Sequence, residues 1–262
     1  MRLKDKTAVV YGAGGDVGSA VARAFAREGA KVFLSGRSLR KVEAVAASIT
    51  AKGGIAHAAE VNALDESALE RYLDAVTEKG GAVDICFNAV GPTQPTEKVP
   101  LTEISAEHFA LPMSTYVQSN FLTARSAARR MLARRSGVIL TITGTPGRLA
   151  VPNAGGSTLA YAALSALTRS LSVELGPQGI RVVGLMPNAI PETQLIRENF
   201  ARYAKAAGVS PADFLARFES MTHLKRLTTL DELANTAVFA ASDQGSALTG
   251  TILNLSGGGA LD

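Results

Sequence analysis

The sequence predicts an α/β protein: a parallel β-sheet of about seven strands with helices packed on both faces. Three observations carry that expectation. Short β-branched runs alternate with Ala-rich helical segments along the whole chain. Strands separated by helices need crossover connections, and those favour a parallel sheet. A glycine-rich turn joins the first strand to the first helix, where such a sheet would bind a ligand. No composition break, internal repeat or low-complexity tract divides the 262 residues, so a single domain over 1–262 is expected.

The strands are expected at Thr7–Tyr11, Lys31–Ser35, Ile55–Glu60, Val83–Asn88, Val138–Thr143, Ile180–Met186 and Thr251–Asn254. Helical patterns lie near Val17–Glu28, Leu39–Lys52, Ser67–Lys79, Thr115–Arg135, Ser157–Leu175 and Leu230–Ser242. With 47% hydrophobic but only 5% aromatic residues and no Trp, the core must be filled mostly by Ala, Val, Leu and Ile. Two stretches break the alternation. The proline-bearing Gly91–Pro112 reads as a surface loop beside the ligand crevice. Pro187–His223 reads as a small amphipathic lid, whose Leu195, Ile196, Phe200, Phe214 and Phe218 would either line an apolar pocket or form the core of small helices.

The first strand runs into Tyr11-Gly12-Ala13-Gly14-Gly15-Asp16-Val17-Gly18. Glycines here permit a tight turn, close approach to a pyrophosphate and close helix–strand packing, and the helix start presents N–H groups to the anion. From this turn onward the chain resembles the short-chain dehydrogenase/reductases. Gly12, Val17 and Gly18 match that family's T-G-x-x-x-G-[IV]-G pattern, while Tyr11 replaces its threonine and Asp16 its middle glycine. Asn88-Ala89-Val90-Gly91 is similar to the N-N-A-G turn. GIRVVGLMP, ALTGTILNLSGG and ALSALTRSLSVEL extend the likeness over nearly the whole chain.

The resemblance implies a doubly wound Rossmann sheet of order 3-2-1-4-5-6-7 and a nicotinamide dinucleotide held by Gly12, Gly14, Gly15, Asp16, Val17, Gly18, Arg37, Ser38, Glu60, Val61, Asn88, Ala89, Val90, Pro187, Asn188 and Ile190. Arg37, with no acidic residue at the tip of the second strand, points to a 2′-phosphate and so to NADP(H) over NAD(H). Asp16 works against this, since a carboxylate near a pyrophosphate repels it. The milder expectation is that Asp16 caps the helix it precedes.

The family resemblance implies catalysis by Asn, Ser, Tyr and Lys, with Tyr and Lys in Y-x-x-x-K. A register making Tyr161 the proton donor leaves Ser165 at the Lys position. The downstream ALSALTRSL instead fixes Tyr161 at the Lys position and Ser157 at the Tyr position. Matching upstream puts Gly144 at the Ser position and Tyr116 at the Asn position, with Asn120 one turn away. Tyr161, Ser157 and Tyr116 are therefore the candidate catalytic residues, Thr143 or Thr145 could assist substrate placement, and no cation replaces the Lys. Without one, lowering a phenol from ~10 to around 7 would require about 4 kcal/mol of phenolate stabilisation from elsewhere.

Three functions stay open on the residues: a diverged NADP(H)-dependent reductase of a small, mostly apolar carbonyl or alcohol; a non-redox isomerase, lyase or cyclase using the same pocket, where a neutral tyrosine pair would hold a developing oxyanion; and a binding or assembly protein. The plainer alternatives are that Tyr161 and Tyr116 only fill space and that Ser157 is a helix N-cap.

The remaining features exclude more than they suggest. The net charge is +4, and the run Arg125, Arg129, Arg130, Arg134, Arg135 reads as a solvated helix face, without a nucleic-acid motif. One cysteine, Cys86 in VDICF, reads as a buried strand thiol and rules out an internal disulfide. His57, His108 and His223 are scattered, so no metal site is expected. The opening MRLKDK leaves no room for a signal peptide, and no apolar run approaches a membrane span, so the expected location is the cytoplasm. Family relatives assemble as dimers or tetramers through helices matching Thr115–Arg135 and Ser157–Leu175, which implies a homo-oligomer, with a homotetramer favoured by the Ala-rich second helix.

Overall fold

The computed structural model describes residues 1–92, 99–149 and 151–261. Its seven strands are β1 (Thr7–Tyr11), β2 (Lys31–Gly36), β3 (Ile55–Glu60), β4 (Ile85–Asn88), β5 (Gly137–Ile142), β6 (Ile180–Pro187) and β7 (Ile252–Leu255). They form one parallel sheet in the order β3-β2-β1-β4-β5-β6-β7. This is the doubly wound Rossmann arrangement. The winding reverses between β1 and β4, which opens a crevice beyond the carboxyl ends of those strands.

Alternation along the strands divides the core between the two faces. Val10, Leu34, Phe87, Leu140 and Val183 pack with α1 (Asp16–Arg27), α2 (Leu39–Thr50) and α9 (Leu230–Ala241). Val9, Phe33, Cys86, Ile139 and Val182 face α3 (Glu66–Gly80) and α5 (Gln118–Leu132), with Leu175 at the end of α6 (Gly156–Leu175) joining them. Burial pushes the Cys86 thiol up to about 12, as befits a strand cysteine in an apolar layer. Asp84 pins the start of the sheet: its Oδ2 accepts from Thr7 N at 2.8 Å and its Oδ1 pairs with Arg134 at 3.0 Å.

Two expectations are corrected here. Part of Gly91–Pro112 is helical: α4 (Ala106–Pro112) starts at Ser105, whose hydroxyl accepts from His108 N. Residues 93–98 of that stretch lie outside the described residues. The helix expected from Thr115 instead continues from α4 through one π-helical segment, Met113–Val117, into α5. Pro112 lacks the N–H that a regular ladder would use, and a wider turn follows it directly. The segment after β6 forms α7 (Gln194–Ala206) and α8 (Pro211–Ser220), capped by Thr193 and Ser210. Among its aromatic residues, Phe200, Phe214 and Phe218 turn on one another with ring centroids 5.1 to 6.2 Å apart, so they form the hairpin's own core.

Candidate active site

The glycine turn is built of close backbone approaches. Gly12 has a φ of 69°, and a Cβ there would lie 2.7 Å from Ala89 O. A Cβ on Gly18 would lie 2.4 Å from Gly12 O, so helix and turn touch where only glycine fits. Gly15 is the N-cap of α1 and provides no side-chain cap. Asp16 does not cap its own helix, contrary to expectation. It is the first helical residue, and its Oδ2 accepts from the backbone N–H of Gln194 at 2.7 Å, on the far side of the sequence. No sequence signal could have joined these two residues.

At the neighbouring strand ends, Arg37 is exposed and makes no ion pair or hydrogen bond among the described residues. Ser38 is the N-cap of α2 without a side-chain bond. Glu60 is exposed at the end of β3, and buried Val61 donates its N–H to Gly36 O. The Asn88 side chain is engaged within the fold, donating to Thr123 Oγ1 at 2.9 Å and accepting from Val90 N at 2.8 Å, while Ala89 N donates to Tyr11 O. Pro187 closes β6. Asn188 Oδ1 accepts from Ala189 N and from Thr145 Oγ1, and Ile190 is buried with its carbonyl holding Thr193. These residues surround the crevice at the carboxyl ends of β1, β2, β3, β4 and β6.

Tyr116 and Tyr161 come together from the π-turn and from α6, with ring centroids 5.4 Å apart. The Tyr161 ring lies against Gly144, where a Cβ would be 3.1 Å from its Cε2. A Cβ on Gly147 would meet the Tyr161 backbone and Cβ at 2.9 Å, and one on Gly91 would be 3.5 Å from the Tyr116 hydroxyl. The phenols thus occupy space that side chains at Gly144 and Gly91 would contest, and Gly147 leaves room for the Tyr161 backbone. Burial pushes the Tyr161 phenol above its ordinary value, and the nearby Tyr116 hydroxyl offsets part of the rise. Burial, followed by the proximity of Tyr161, holds Tyr116 well above the usual phenol range. Both are neutral at ordinary pH.

Ser157 is half-buried on the same face of α6 as Tyr161, and its hydroxyl makes no hydrogen bond among the described residues. It is not the N-cap, as the plainer alternative had it. Gly155 takes that place with φ 54° and ψ −141°, and Gly156 passes so close to α4 that a Cβ would collide with Phe109 O. Thr143 donates to Tyr161 O at 2.8 Å and Asn120 Nδ2 to Tyr116 O at 2.9 Å, so both brace the helices beneath the phenols.

Elsewhere, the arginine run is paired as well as solvated. Arg125 meets Glu66, Arg130 bridges Glu70 at 2.8 Å and Asp74 at 2.5 Å, and Arg129 reaches Glu70 at 3.4 Å. Burial alone would raise the Glu70 carboxyl, but the bonds from Arg130 and Ser126 hold it below the ordinary range. Among the described residues, no three His, Cys, Asp or Glu side chains group as metal ligands, and no helix is long and apolar enough to cross a membrane.

A sheet wound in this order, with a glycine turn at its switch point, defines a Rossmann-fold dinucleotide-type protein. Comparison with known proteins gives the family. Residues 12–259 match the family described as enoyl-(acyl carrier protein) reductase. An uncharacterised oxidoreductase of Bacillus subtilis, YxbG, is 30% identical over 261 residues, covering 98% of this chain and 92% of that protein. The L-rhamnose 1-dehydrogenase (NAD(P)(+)) of Azotobacter vinelandii is 32% identical over 265 residues, covering 98% of each. Among solved structures, sorbitol-6-phosphate 2-dehydrogenase from Erwinia amylovora superposes with a TM-score of 0.91 at 25% identity, covering 97% of this chain and 100% of that one. The chain belongs to the short-chain dehydrogenase/reductase family, and it is an oxidoreductase of that type.

Proposed function

We propose that the protein is an NADP(H)-dependent reductase of a small carbonyl compound, working by a route that dispenses with the family's Asn-Ser-Tyr-Lys set. The observation that carries this reading is the neutral phenol pair, with Tyr161 packed against Gly144 and Tyr116 against Gly91, just beyond the carboxyl ends of β5 and β4. The glycine turn and the uncapped start of α1 fit a dinucleotide, because both offer bare backbone to an anion. Exposed, unpaired Arg37 at the end of β2 supports a 2′-phosphate. The A. vinelandii relative carries both cofactors in its name, so the preference rests on Arg37.

A bound nicotinamide would supply the hydride. Tyr161 holds the proton for the carbonyl oxygen, Tyr116 orients it, and the unpartnered Ser157 hydroxyl one turn away hydrogen-bonds the substrate. A phenol raised by burial stays protonated at neutral pH. It is therefore present in the protonated form that reduction uses, not as the phenolate that alcohol oxidation would need, while the same burial makes it a weaker acid. Because the hairpin's Phe residues pack on one another, a mostly apolar substrate draws support only from the phenol rings and exposed Leu195. The same phenols could hold an oxyanion without redox chemistry.

We further propose self-association through α5 and α6, which leave Phe121, Leu159 and Val173 exposed. Light scattering on the purified protein tests this. The functional test is a titration with NADPH and NADH followed by nicotinamide fluorescence, then a carbonyl screen of the parent and Tyr161→Phe. NADPH-selective binding with turnover lost in Tyr161→Phe is expected. Turnover retained by that variant would reassign Tyr161 to packing, and no binding at millimolar cofactor would overturn the redox reading.

A further inference from the structure

We propose that Asp16 is a latch between the glycine turn and α7, making dinucleotide binding depend on α7 being docked. This rests on the dinucleotide reading above. Asp16 stands at the first position of α1, where the family's glycine would leave room for an anion, and its charge there opposes a pyrophosphate. Its Oδ2 is nevertheless committed to Gln194 N, the first N–H of α7. Thr193 caps that helix through Ile196 N, so the Gln194 N–H must find its partner outside the helix, and Asp16 supplies it.

The docked helix end therefore places a donor and a positive partial charge on the carboxylate. With α7 away, a bare carboxylate would face the bound anion. With α7 docked, that charge is partly compensated. Binding and docking then favour each other by the same factor. The hairpin has a second tie that would serve as its pivot: Glu192 Oε2 accepts from Leu230 N at 2.7 Å, at the start of α9. Since α9 shares its core with α1, this root stays anchored when the Asp16 bond opens.

The discriminating variant is Gln194→Pro. Proline is well tolerated at the first helical position, where its missing N–H is one of the orphans. Thr193 is already extended, with φ −83° and ψ 142°, as a residue before proline must be. Gln194→Ala is the control, keeping the N–H and losing only the side-chain bond to Glu198. NADPH affinity would be measured by fluorescence, and α7 docking by amide exchange over residues 199–206. Gln194→Pro should weaken NADPH about fivefold or more and speed that exchange, with Gln194→Ala near the parent. In an Asp16→Gly background the proline should leave affinity unchanged. Parent-like affinity in Gln194→Pro would overturn the latch alone, as would an equal loss in both backgrounds, because the proline would then act by damaging α7. Failure of both the parent and Asp16→Gly to bind NADPH would overturn the dinucleotide reading and the latch with it.

Discussion

Adding one methyl group at position 144 should reveal how tightly the phenol pair is fitted. In Gly144→Ala the new Cβ would stand 3.1 Å from Tyr161 Cε2 and 3.3 Å from its Cδ2 and Cζ. That is closer than ordinary van der Waals contact, and the ring must give by a few tenths of an ångström. Overpacking of this kind costs about 1–3 kcal/mol, and a ring free to shift slightly belongs near the low end, about 1–2 kcal/mol. The backbone adds no strain, because Gly144 has φ −151° and ψ 156°, which any residue adopts. Replacing Gly by Ala at such a site removes about 0.4–1 kcal/mol of unfolded-chain entropy in the mutant's favour. The net loss is then about 0.5–1 kcal/mol, read as a lower denaturant midpoint with an unchanged slope. In a Tyr161→Ala background the clash vanishes and the same substitution should stabilise by about 0.5 kcal/mol. A substitution at 144 with the same effect in both backgrounds would refute the fit between Gly144 and the Tyr161 ring.

Three further outcomes are expected. Arg37→Ala should weaken NADPH binding far more than NADH binding, and equal losses in parallel titrations would remove the 2′-phosphate role. Arg181 donates to Ala240 O at 2.8 Å and to Leu248 O and Ser242 O at 3.2 Å, tying β6 to the end of α9. Arg181→Met should cost about 2 kcal/mol by leaving those carbonyls short of donors, and an unchanged thermal midpoint would contradict this. Arg226, and then the Thr229 N–H, hold the Glu232 carboxyl down at about 2. This depressed value gives stability that is complete above the unfolded value of about 4.3 and fades as pH falls toward 2. Glu232→Gln should flatten the thermal midpoint between pH 5 and 3, by a small amount because the pair is exposed to solvent.

The parallel sheet was legible because local patterns mark it, β-branched alternation the strands and glycine the turn at Gly12, while the order of its winding came from the family resemblance. What escaped depended on distant partners or on punctuation. Prolines around Gly91–Pro112 hid α4, although Ser105 followed by Glu107 is a helix-start signal in plain view. Phe200, Phe214 and Phe218 could belong to a pocket or to the core of small helices on sequence alone, and only the folded hairpin shows that they meet one another. Glu66, Glu70 and Asp74 recur every four residues, yet nothing local says that α5 lies beside them. At the site, Tyr116, Ser157 and Tyr161 could be named only through the family resemblance, while the glycines that seat the phenols and the Asp16–Gln194 bond belong to the third dimension.

The π-turn at Met113–Val117 amounts to one residue more than a regular helix would hold. A turn of this kind takes up one extra residue while the flanking helices keep their phase, so removing a single residue from it would leave α4 and α5 aligned and redraw only the turn that carries Tyr116. The buried stripe of Leu122, Ala127 and Met131 lies downstream and would keep its place on the sheet. Tyr116 would swing away from Tyr161. The second phenol is thus held in position by one surplus residue, so a single-codon deletion could separate this chemistry from a fold that otherwise remains intact.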